Sequence, residues 1–435
     1  MTNIIFIFAD DWGFGDLGCQ GHPVLKTPHL DRLAEEGTRF TDFHVTSPVC
    51  SPSRCSVITG HYPARHLIHS VFGRYHDDDS RHMGHWLDVK VHSLPRLMQE
   101  AGYRTAHYGK WHLGGGGGIY GNPDAPYVRE YGYDDTRTWN GNGPTWYQTE
   151  KWPYTLHNDP DPVWAANSSL LAVDATLEFI GQSGNKPFFV NLWLKDPHTP
   201  LHPTPEQREA YRSLPEPEQT YYSVISEADR QIGRLLEGLE QLGLGENTLV
   251  IFSSDNGPEG VMLEYGTAGS TGGLRGRKRS LFEGGVRTPF IARWPGRVPA
   301  GRVDSTSLLS SVDLMPTFLR LGGVTPPEDW QPDGVDISAA LLGESFLRPL
   351  PLMWEWRDCY EKEDFWPMLA LRDGGYQLLT HPLTGRTELY HIPDDPGQLR
   401  DLAPQNPDRV QSMLRQLEEW NQALPGYATR PGAKC

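Results

Sequence analysis

Short apolar runs that each end in a polar cluster constrain the fold of this chain more than any other feature. Residues 3–9 (NIIFIFA) form a continuous run rich in β-branched side chains and end at Asp10-Asp11, which is typical of a strand buried on both faces. Residues 188–194 and 248–253 repeat the pattern, and helical segments lie between the runs. Strands that alternate with helices predict a mostly parallel α/β sheet with helices on both faces.

Periodic apolar residues and end signals predict the helices between these strands. One helix is expected over residues 28–36, because Thr27 can cap its start, Pro28 suits its first turn and Gly37 ends it. Further helices are predicted over residues 54–59, 94–100, 174–180, 221–242 and 313–321, and further strands over residues 38–44 and 105–108. Residues 119–165, rich in Trp, Tyr, Gly, Asn and Pro, are expected to form long loops.

The character of the sequence changes near residue 350. The segments PLMWEWRD, MLALRDGGYQLLT and TELYHI are typical of short antiparallel strands, and residues 408–423 have the pattern of an amphipathic helix. We therefore predict two domains: a large N-terminal domain over residues 1–348, which would hold the site, and a small α+β subdomain with a short antiparallel sheet over residues 349–435.

Charge and composition exclude several classes of protein. The 435-residue chain carries a formal net charge of −16, which disfavours broad binding to nucleic acid or to an anionic membrane surface. Its apolar stretches are too short to cross a bilayer, and its five cysteines show neither a disulfide framework nor a zinc pattern. No leader is visible after Met1, so we expect a cytoplasmic protein, or a periplasmic or secreted one if a leader was removed.

Polar side chains follow the predicted strands at the point where each strand ends. Asp10 and Asp11 follow the first strand, and Asp255 and Asn256 follow the run at residues 248–253. The carboxyl ends of parallel strands meet at one edge of a sheet, where such folds place their sites. Three carboxylates and an amide oxygen suit Ca²⁺ or Mg²⁺, whereas the alternative is a pair of structural turns.

Two further strand ends supply cationic and proton-transfer groups. Lys110 and His112 lie two residues apart on one side of an extended segment, and His198 lies in the Pro-bounded loop DPHTPLHP. Together they suit an anionic substrate and proton transfer. The alternatives are a solvated lysine, a histidine at the core edge and a histidine that bonds the backbone of a turn. The basic run at residues 274–279 (LRGRKR) is either a solvated face or an anion-contacting loop.

Two neighbouring cysteines have different expected roles. Cys50 precedes a predicted helix, and a helix N-terminus favours negative charge, so we expect a depressed thiol pKa and a reactive side chain. Cys55 lies inside the helix pattern beside Val57 and Ile58, which is typical of a buried, inert thiol.

These residues carry a resemblance to a known family. The segment CSPSR at residues 50–54, followed by Thr59-Gly60, resembles the Cys-x-Pro-x-Arg signature of type I sulfatases, and GYRT…GKWHLG at residues 102–114 resembles their second signature. The likeness spans nearly the whole chain, because five more segments occur in the family's order: NIIFIFADDWGFGDLGC, PFFVNLWLKDPHTP, NTLVIFSSDNGP, LFEGGVRTPFIARWPG and ELYHIPDDPGQLRDLA.

The resemblance implies an alkaline-phosphatase-like fold and hydrolysis of a sulfate ester with release of inorganic sulfate. It implies that a formylglycine-generating enzyme converts Cys50 to Cα-formylglycine, whose hydrated gem-diol is the nucleophile. A divalent cation, Ca²⁺ or else Mg²⁺, would be held by Asp10, Asp11, Asp255, Asn256 and residue 50. Asp255 would also take a proton from the attacking oxygen.

The remaining roles follow from matching positions in the family. Lys110, His198 and Lys278 would bind sulfate, and His198 or Lys278 would supply the leaving-group proton. His112 would remove a proton from the sulfated adduct, and Arg54 would steady residue 50 and Lys110. The run LRGRKRS departs from the family in carrying two extra arginines, and we assign Lys278 to the site from its spacing to the following Glu-Gly-Gly.

The substrate is predicted from residues that would line the mouth of the site. Loops over residues 66–90 and 119–165, together with two arginines elsewhere, supply aromatic platforms and polar edges that suit a sulfated carbohydrate rather than a simple aryl sulfate. The candidate substrate-binding residues are Arg74, His85, Trp139, Asn140, Arg275 and Arg357. The alternative is that the loops merely pack on each other.

Other functions are compatible with the same scaffold. A phosphonate or phosphate monoester hydrolase with the same nucleophile is the main alternative. A non-catalytic sulfoglycan-binding protein, in which Cys50 is never oxidised, is less favoured because the proton-transfer residues are intact. A two-zinc phosphatase would be expected to carry Ser or Thr at residue 50.

Overall fold

The computed structural model describes residues 1–73, 75–114, 124–140, 162–260, 268–357 and 366–426, with the side chains of residues 162 and 163 left out. The strands are β1 Asn3–Ala9, β2 Thr38–Phe40, β3 Phe43–His44, β4 Arg104–Lys110, β5 Asp135–Trp139, β6 Phe188–Trp193, β7 Thr248–Ser254, β8 Phe290–Arg293, β9 Arg302–Asp304, β10 Leu309–Ser310, β11 Leu352–Glu355, β12 Leu369–Asp373, β13 Tyr376–Thr380 and β14 Thr387–His391. The helices are α1 Pro28–Glu35, α2 Cys50–Thr59, α3 Tyr75–Ser80, α4 Leu94–Glu100, α5 Pro162–Ala166, α6 Ser168–Gly181, α7 Pro205–Arg208, α8 Glu218–Gln241, α9 Glu283–Val286, α10 Leu314–Gly322, α11 Ser338–Leu341 and α12 Pro407–Ala423.

A central eight-stranded sheet has the order β5-β4-β6-β1-β7-β8-β2-β9. β1 pairs in parallel with both β6 and β7, and β4 pairs in parallel with β5 and β6, whereas β8 is antiparallel to β7 and β2. The carboxyl ends of β1, β4, β6 and β7 therefore lie along one edge. This arrangement confirms the mostly parallel α/β sheet predicted from the sequence.

Alternation along β1 shows why this strand is apolar throughout. Ile4, Phe6 and Phe8 pack into one buried cluster, which also contains side chains of α2, α4 and α10. Ile5, Ile7 and Ala9 point to the other face and pack with side chains of α1, α6 and α8. Because both faces of the sheet are covered by helices, neither face of the strand can carry polar side chains.

The C-terminal strands β11 to β14 form a separate four-stranded antiparallel sheet, as the sequence predicts. Leu371 and Leu389 of this sheet, and Leu417 of α12, belong to the same buried cluster as Phe6 of the central sheet. The small sheet is thus fused to one face of the large one by continuous apolar packing. The domain boundary between residues 348 and 349 stays a prediction.

Several local predictions differ from the structure. The helix expected over residues 174–180 begins at Ser168, and α5 begins within the region expected to be loop. The helix expected over residues 54–59 begins at Cys50, because Val49 is extended and Pro52 is tolerated in a first turn whose N–H groups lack helical partners. Residues 38–44 contain two short strands, β2 and β3, rather than one. β5 lies in a region expected to be loop, and its stability comes from pairing with β4 rather than from apolar content. Among the described helices, none is long and apolar enough to span a membrane.

Candidate active site

Three strand ends and the first turn of α2 meet in one buried cluster. Asp10 and Asp11 follow β1, Lys110 ends β4, and Asp255 and Asn256 follow β7. α2 delivers Cys50 at its first residue and Arg54 one turn later. Asp11 and Asn256, which are hydrogen-bonded, lie 245 positions apart in sequence, and they meet because the parallel strands bring their carboxyl ends together.

Two backbone conformations set the positions of the charged groups. Gly109 has φ of +111°, and a Cβ there would lie 1.8 Å from the carbonyl oxygen of Trp193, so only glycine lets β4 approach β6 directly before Lys110. Asp11 has φ of +65°, in the left-handed region that is costly for most residues other than glycine. Its backbone N–H donates to Asp255 Oδ1 at 3.2 Å, which helps to hold this turn.

The acidic part of the cluster can surround a cation. Asp10, Asp11 and Asp255 are buried, and each offers an oxygen within 4.8 Å of the others and of Cys50 Sγ. Asn256 donates through Nδ2 to Asp11 Oδ1 at 2.7 Å, while its buried Oδ1 has no hydrogen-bond partner among the described residues. A set of carboxylate oxygens with one orphaned amide oxygen fits a hard divalent cation.

Three buried cations contact the same carboxylates. Arg54 donates from Nε and Nη2 to Asp255 Oδ2 at 3.0 and 2.6 Å, and from Nη1 to the carbonyl oxygen of Lys110 at 2.8 Å. Lys110 Nζ lies 2.5 Å from Asp10 Oδ2. Lys278 Nζ lies 2.6 and 2.7 Å from the two oxygens of Asp11. Three cations thus balance three carboxylates before any ion or substrate is bound.

These contacts set the protonation of the carboxylates in different directions. Burial raises the pKa of Asp10, but the charges of Lys110, His198 and Arg54 outweigh it and hold that pKa well below its usual value. Lys278 does the same for Asp11, whose pKa is also lowered. Burial and the neighbouring Asp10 charge raise the pKa of Asp255 to about 6, despite its contact with Arg54. Asp255 is therefore the carboxylate best suited to accept and return a proton near neutral pH.

Cys50 occupies the centre of the cluster. Its Sγ lies 3.3 Å from Asp10 Oδ1 and 3.3 Å from Lys110 Nζ. Burial and the charges of Asp10 and Asp255 raise its pKa well above the usual value for a thiol. The expectation of a depressed pKa is therefore wrong, because burial and two carboxylates outweigh the helix N-terminus. The unmodified side chain is a poor thiolate nucleophile.

The two histidines have defined tautomers when neutral. His112 Nε2 donates to the carbonyl oxygen of Phe72 at 3.1 Å, and its buried Nδ1 has no partner in the part of the chain that the structure describes. His198 Nδ1 donates to the carbonyl oxygen of Thr199 at 2.5 Å, and its Nε2 lies 3.9 Å from Asp11 Oδ2. Burial lowers the pKa of both rings, in His198 to about 4, and the charge of Lys110 adds to the effect.

Within the basic run, only the lysine reaches the carboxylate cluster. Arg277 donates to the backbone carbonyl oxygens of Glu259 and Gly269, and Arg279 pairs with the carboxylate of Glu259. Lys278 is 3.5 Å from that same Glu259 carboxylate, in addition to its contact with Asp11. Lys278 is thus the residue of this run that contacts Asp11, and its role in sulfate binding stays a prediction.

The predicted substrate-binding residues are more scattered. Trp139 lies over Lys110 Nζ at 5.3 Å and meets the ring of His198 edge-on at 5.9 Å, so it belongs to the site wall. The carbonyl oxygen of Asn140 accepts the backbone N–H of His112 at 2.9 Å. His85 pairs with Asp79 at 2.8 Å. Arg275 donates to Tyr390 at 2.9 Å, Arg357 pairs with Glu355 at 3.1 Å, and Arg74 lies outside the described residues.

Two residues near the site were missed at the sequence level. Glu259 is buried and contacts Lys278 and Arg279, and its place four residues after Asp255 could have drawn attention to it. Lys195 is buried beside the His198 loop, and no pattern in the sequence distinguishes it from a solvated lysine.

A second buried cluster has a similar composition. Asp42, His44 and Glu283 also offer ligand atoms within 4.8 Å of one another. His44 Nε2 lies 3.1 Å from both carboxylate oxygens of Glu283. Arg287 lies 3.3 Å from Asp42 Oδ1 and 3.2 Å from Glu283 Oε2, and Arg372 lies 3.3 Å from Asp42 Oδ2. This cluster lies where the loop after β2 and helix α9 meet β12 of the C-terminal sheet.

Comparison with known proteins gives two family matches. A family described as Sulfatase matches residues 2–324. A second family, described as N-sulphoglucosamine sulphohydrolase, C-terminal, matches residues 276–423. The two matches together span the central sheet and the C-terminal sheet.

Individual relatives agree over most of the chain. An N-acetylgalactosamine-6-sulfatase of Canis lupus familiaris is 33% identical, over 91% of this chain and 80% of that protein. Arylsulfatase A of Homo sapiens is 35% identical over 78% of this chain and 68% of that protein. The solved structure of Ps i-CgsB in complex with k-i-k-neocarrahexaose superposes with a TM-score of 0.80 and 27% identity, covering 96% of this chain and 92% of that one.

Proposed function

The chain belongs to the sulfatase family and is a sulfuric ester hydrolase, and we propose that it acts on a sulfated carbohydrate through Cys50 converted to Cα-formylglycine. The observation that supports this best is the place of Cys50, with Sγ 3.3 Å from both Asp10 and Lys110. The raised pKa of the thiol fits a side chain that is a precursor rather than a thiolate nucleophile. Formylglycine would supply, as its hydrate, a hydroxyl nucleophile at this position.

We assign a divalent cation, Ca²⁺ in preference to Mg²⁺, to the oxygens of Asp10, Asp11, Asp255 and Asn256 and to residue 50. The orphaned Oδ1 of Asn256 and the three carboxylates supply the hard ligands that Ca²⁺ prefers. The ion would neutralise sulfate oxygens and favour deprotonation of the nucleophile. With three carboxylates already balanced by three cations, a bound divalent ion leaves a net positive charge that suits an anionic substrate.

Cationic side chains would hold the sulfate group. Lys110 and Lys278 carry ammonium groups within the cluster, and His198 presents Nε2 from the side of the Asp11 carboxylate. Donors fixed in a buried site stabilise charge on the equatorial oxygens more than water does, because they need no reorganisation. Arg54 would contribute indirectly, by holding Asp255 and the backbone of Lys110.

Proton transfers can be assigned to groups with suitable protonation. Asp255, with a pKa near 6, would accept the proton of the attacking hydroxyl. His112 is neutral at pH 7 and leaves Nδ1 free to act as a base, because its Nε2–H is committed to Phe72. The proton for the leaving alcohol would come either from Lys278, whose pKa is raised by its carboxylate neighbours, or from the imidazolium form of His198.

The carbohydrate assignment draws on the names of the relatives and on Trp139. An N-acetylgalactosamine-6-sulfatase is among the relatives, and the indole of Trp139 forms a wall beside Lys110 and His198. Aromatic walls with nearby polar groups suit the mixed faces of a sugar. The substrate roles of Arg74, His85, Asn140, Arg275 and Arg357 stay predictions, as does the formylglycine-generating enzyme as a maturation partner.

A substrate panel tests the proposal. The protein, co-expressed with a formylglycine-generating enzyme, is assayed for release of sulfate from sulfated monosaccharides and disaccharides and from an aryl sulfate. Aryl phosphate and aryl phosphonate esters are assayed in parallel, with and without a chelator. We expect cation-dependent sulfate release, with the highest kcat/KM on a saccharide. Faster turnover of the phosphonate than of any sulfate would contradict the function, and an aryl sulfate preferred to every saccharide would contradict the substrate class.

A further inference from the structure

Arg279 is an arginine beside the site that the proposed chemistry leaves without a role. It follows Lys278 directly in the chain, and 44% of its side chain is exposed, whereas 3% of the Lys278 side chain is exposed. The backbone N–H of Arg279 donates to the carbonyl oxygen of Pro48 at 3.0 Å, two residues before Cys50. Arg279 therefore lies at the rim of the site, next to the start of α2.

The other two arginines of the basic run are engaged elsewhere. The guanidinium of Arg275 lies 3.8 Å from the ring centroid of Phe282, and it donates to a tyrosine hydroxyl of the C-terminal sheet. Arg277 donates from Nε and Nη2 to two backbone carbonyl oxygens. The Arg279 guanidinium instead has a single partner among the described residues, the carboxylate of Glu259, which it contacts through Nη1. Its Nε and Nη2 are available to a ligand.

Glu259 determines where this guanidinium group lies. Its buried carboxylate contacts Lys278 through Oε2 at 3.5 Å and Arg279 through Oε1. The two cations thus lie on opposite oxygens of one carboxylate, with the ammonium group inside the site and the guanidinium group at its rim. Burial opposes the charge of Arg279, but Glu259, Asp11 and Cys50 outweigh burial and raise the pKa of the guanidinium. The guanidinium therefore lies within electrostatic range of the carboxylate cluster.

The backbone conformation of Arg279 is unusual for a residue that has a side chain. Its φ is +68°, in the left-handed region that glycine adopts readily and that is strained for most other residues. Strain of this kind is concentrated at functional sites. The conformation therefore favours a role for the arginine side chain itself.

The charge of the protein indicates what kind of ligand needs this arginine. The chain carries a formal net charge of −16, so each additional anionic group on a substrate adds long-range repulsion. A cation at the rim of the site offsets that repulsion locally. A guanidinium group binds a carboxylate or a sulfate through charge-assisted, paired hydrogen bonds, which a neutral hydroxyl group cannot match.

We propose that Arg279 is a specificity-determining residue that binds a second anionic group of the substrate, a carboxylate or a further sulfate, on the same sugar as the scissile sulfate or on the next sugar. The inference rests on the proposed function and narrows its substrate class to saccharides with more than one anionic group. This second group lies away from the reacting sulfur, so its contact is the same in the bound substrate and in the transition state. Loss of the contact should therefore raise KM and leave kcat unchanged.

The test compares Arg279→Gln with Arg32→Gln. Arg32 lies in α1, has 46% of its side chain exposed and also pairs with one glutamate, so it controls for the loss of a half-exposed, paired arginine. For each variant, kcat and KM are measured on 4-nitrophenyl sulfate and on the best monosulfated saccharide. They are also measured on two derivatives of that saccharide, one with a second sulfate and one with an attached hexuronate.

We expect the wild type to have a kcat/KM about 10-fold or more higher on one of the two derivatives than on the monosulfated saccharide. Arg279→Gln should raise KM on that derivative by about 10- to 100-fold, and it should change kcat, and both constants on the two singly charged substrates, by less than about 3-fold. Arg32→Gln should behave like the wild type. The derivative that shows the effect identifies the second anionic group as a sulfate or a carboxylate.

Several outcomes would overturn the proposal. A wild type with no preference for either derivative would mean that no second anionic group is bound. Equal losses of Arg279→Gln on all substrates would assign Arg279 a structural role. If Arg279→Gln does not fold by circular dichroism, Arg279→Lys keeps the charge without the guanidinium fork and should show a smaller preference than the wild type. A full preference in Arg279→Lys would contradict the proposal. A wild type that releases sulfate from no ester would instead overturn the proposed function.

Discussion

Two buried clusters in this protein contain the same kinds of residue but differ in what they can do. The strand-end cluster holds Asp10, Asp11, Asp255 and Cys50, and the junction cluster holds Asp42, His44 and Glu283; in both, ligand atoms converge within 4.8 Å. Arginine or lysine contacts the carboxylates in each. Composition and convergence alone therefore do not identify the catalytic centre.

The two clusters differ in the polar atoms that are available to bind a ligand. In the strand-end cluster, Asn256 Oδ1 has no partner among the described residues, and Cys50 lies between a carboxylate and a lysine. In the junction cluster, Asp42 Oδ1 and His44 Nδ1 also have no hydrogen-bond partner among the described residues, but they lie 3.9 Å from each other, and Asp42 Oδ1 lies 3.3 Å from Arg287. That cluster holds no uncharged oxygen ligand and no residue that could supply a nucleophile. The first cluster suits binding and chemistry, whereas the second joins the loop after β2 and helix α9 to the C-terminal sheet.

The largest expected contrast is between the two cysteines of α2. Cys50→Ala should lower kcat for sulfate release by about 10⁴-fold or more, because it removes the precursor of the nucleophile. Cys55→Ala, in the same helix but in the apolar core, should keep kcat within a few-fold and lose some stability. Initial rates and thermal unfolding of both variants measure this. Retention of full activity by Cys50→Ala would contradict the assignment of the catalytic centre to the strand-end cluster.

The next largest effect concerns the junction cluster. Arg372→Met leaves Asp42 without one of its cations and should lower the free energy of unfolding by about 3–5 kcal/mol. We expect kcat to change little, since Arg372 lies outside the strand-end cluster. Urea unfolding and initial rates measure the two quantities, with the exposed Arg415→Met as control. A large loss of kcat without loss of stability would mean that the catalytic centre lies in the junction cluster and not in the strand-end cluster.

Stabilisation of the folded protein by calcium should show which of the two clusters binds the ion. At about 100 times its dissociation constant, Ca²⁺ should add about 2.7 kcal/mol to the free energy of unfolding, because it binds only the folded chain. Asn256→Ala removes a ligand and should weaken this stabilisation at a fixed calcium concentration, whereas Glu283→Gln should leave it intact. Thermal unfolding across a calcium titration gives the answer. The reverse pattern would place the cation in the junction cluster.

The smallest expected effect is a pH dependence at the junction. Burial opposes ionisation of Glu283, but His44, Arg287 and Arg372 outweigh it and lower the pKa from its ordinary 4.5 to about 2. The unfolded chain thus takes up the proton first, so this stabilisation is complete above pH 4.5 and is lost as pH falls towards 2. The stability difference between the wild type and Glu283→Gln should shrink by about 2 kcal/mol from about pH 5 to pH 3. A constant difference would contradict the lowered pKa.

The same comparison explains how far the sequence could predict the structure. Members of the strand-end cluster each follow a buried strand or begin a helix. Parallel-sheet geometry and the family resemblance therefore predicted that Asp10, Lys110 and Asp255 lie close together. Members of the junction cluster come from the turn between β2 and β3, from β3 and from α9, and Arg372, which contacts them, comes from β12; none of these elements carries such a signal. Pairing between short, distant elements depends on tertiary packing that periodicity does not encode.

Local electrostatics and polar segments also limited what could be predicted from the sequence. The pKa of Cys50 was predicted in the wrong direction, because its sequence neighbours reveal the helix N-terminus but not the burial or the charges of Asp10 and Asp255. β5 was missed because its residues DTRTW are polar and gain their stability from β4. Lys195 was missed because burial of a lysine leaves no trace in the sequence.

Mass spectrometry of the peptide that contains Cys50 tests the central claim most directly. The protein is produced with and without a formylglycine-generating enzyme, and the fraction of residue 50 present as aldehyde is compared with the specific sulfatase activity of each preparation. The account predicts that activity rises in proportion to the aldehyde fraction and is lost when residue 50 is entirely thiol. Full sulfatase activity in a preparation that contains only the thiol would contradict it.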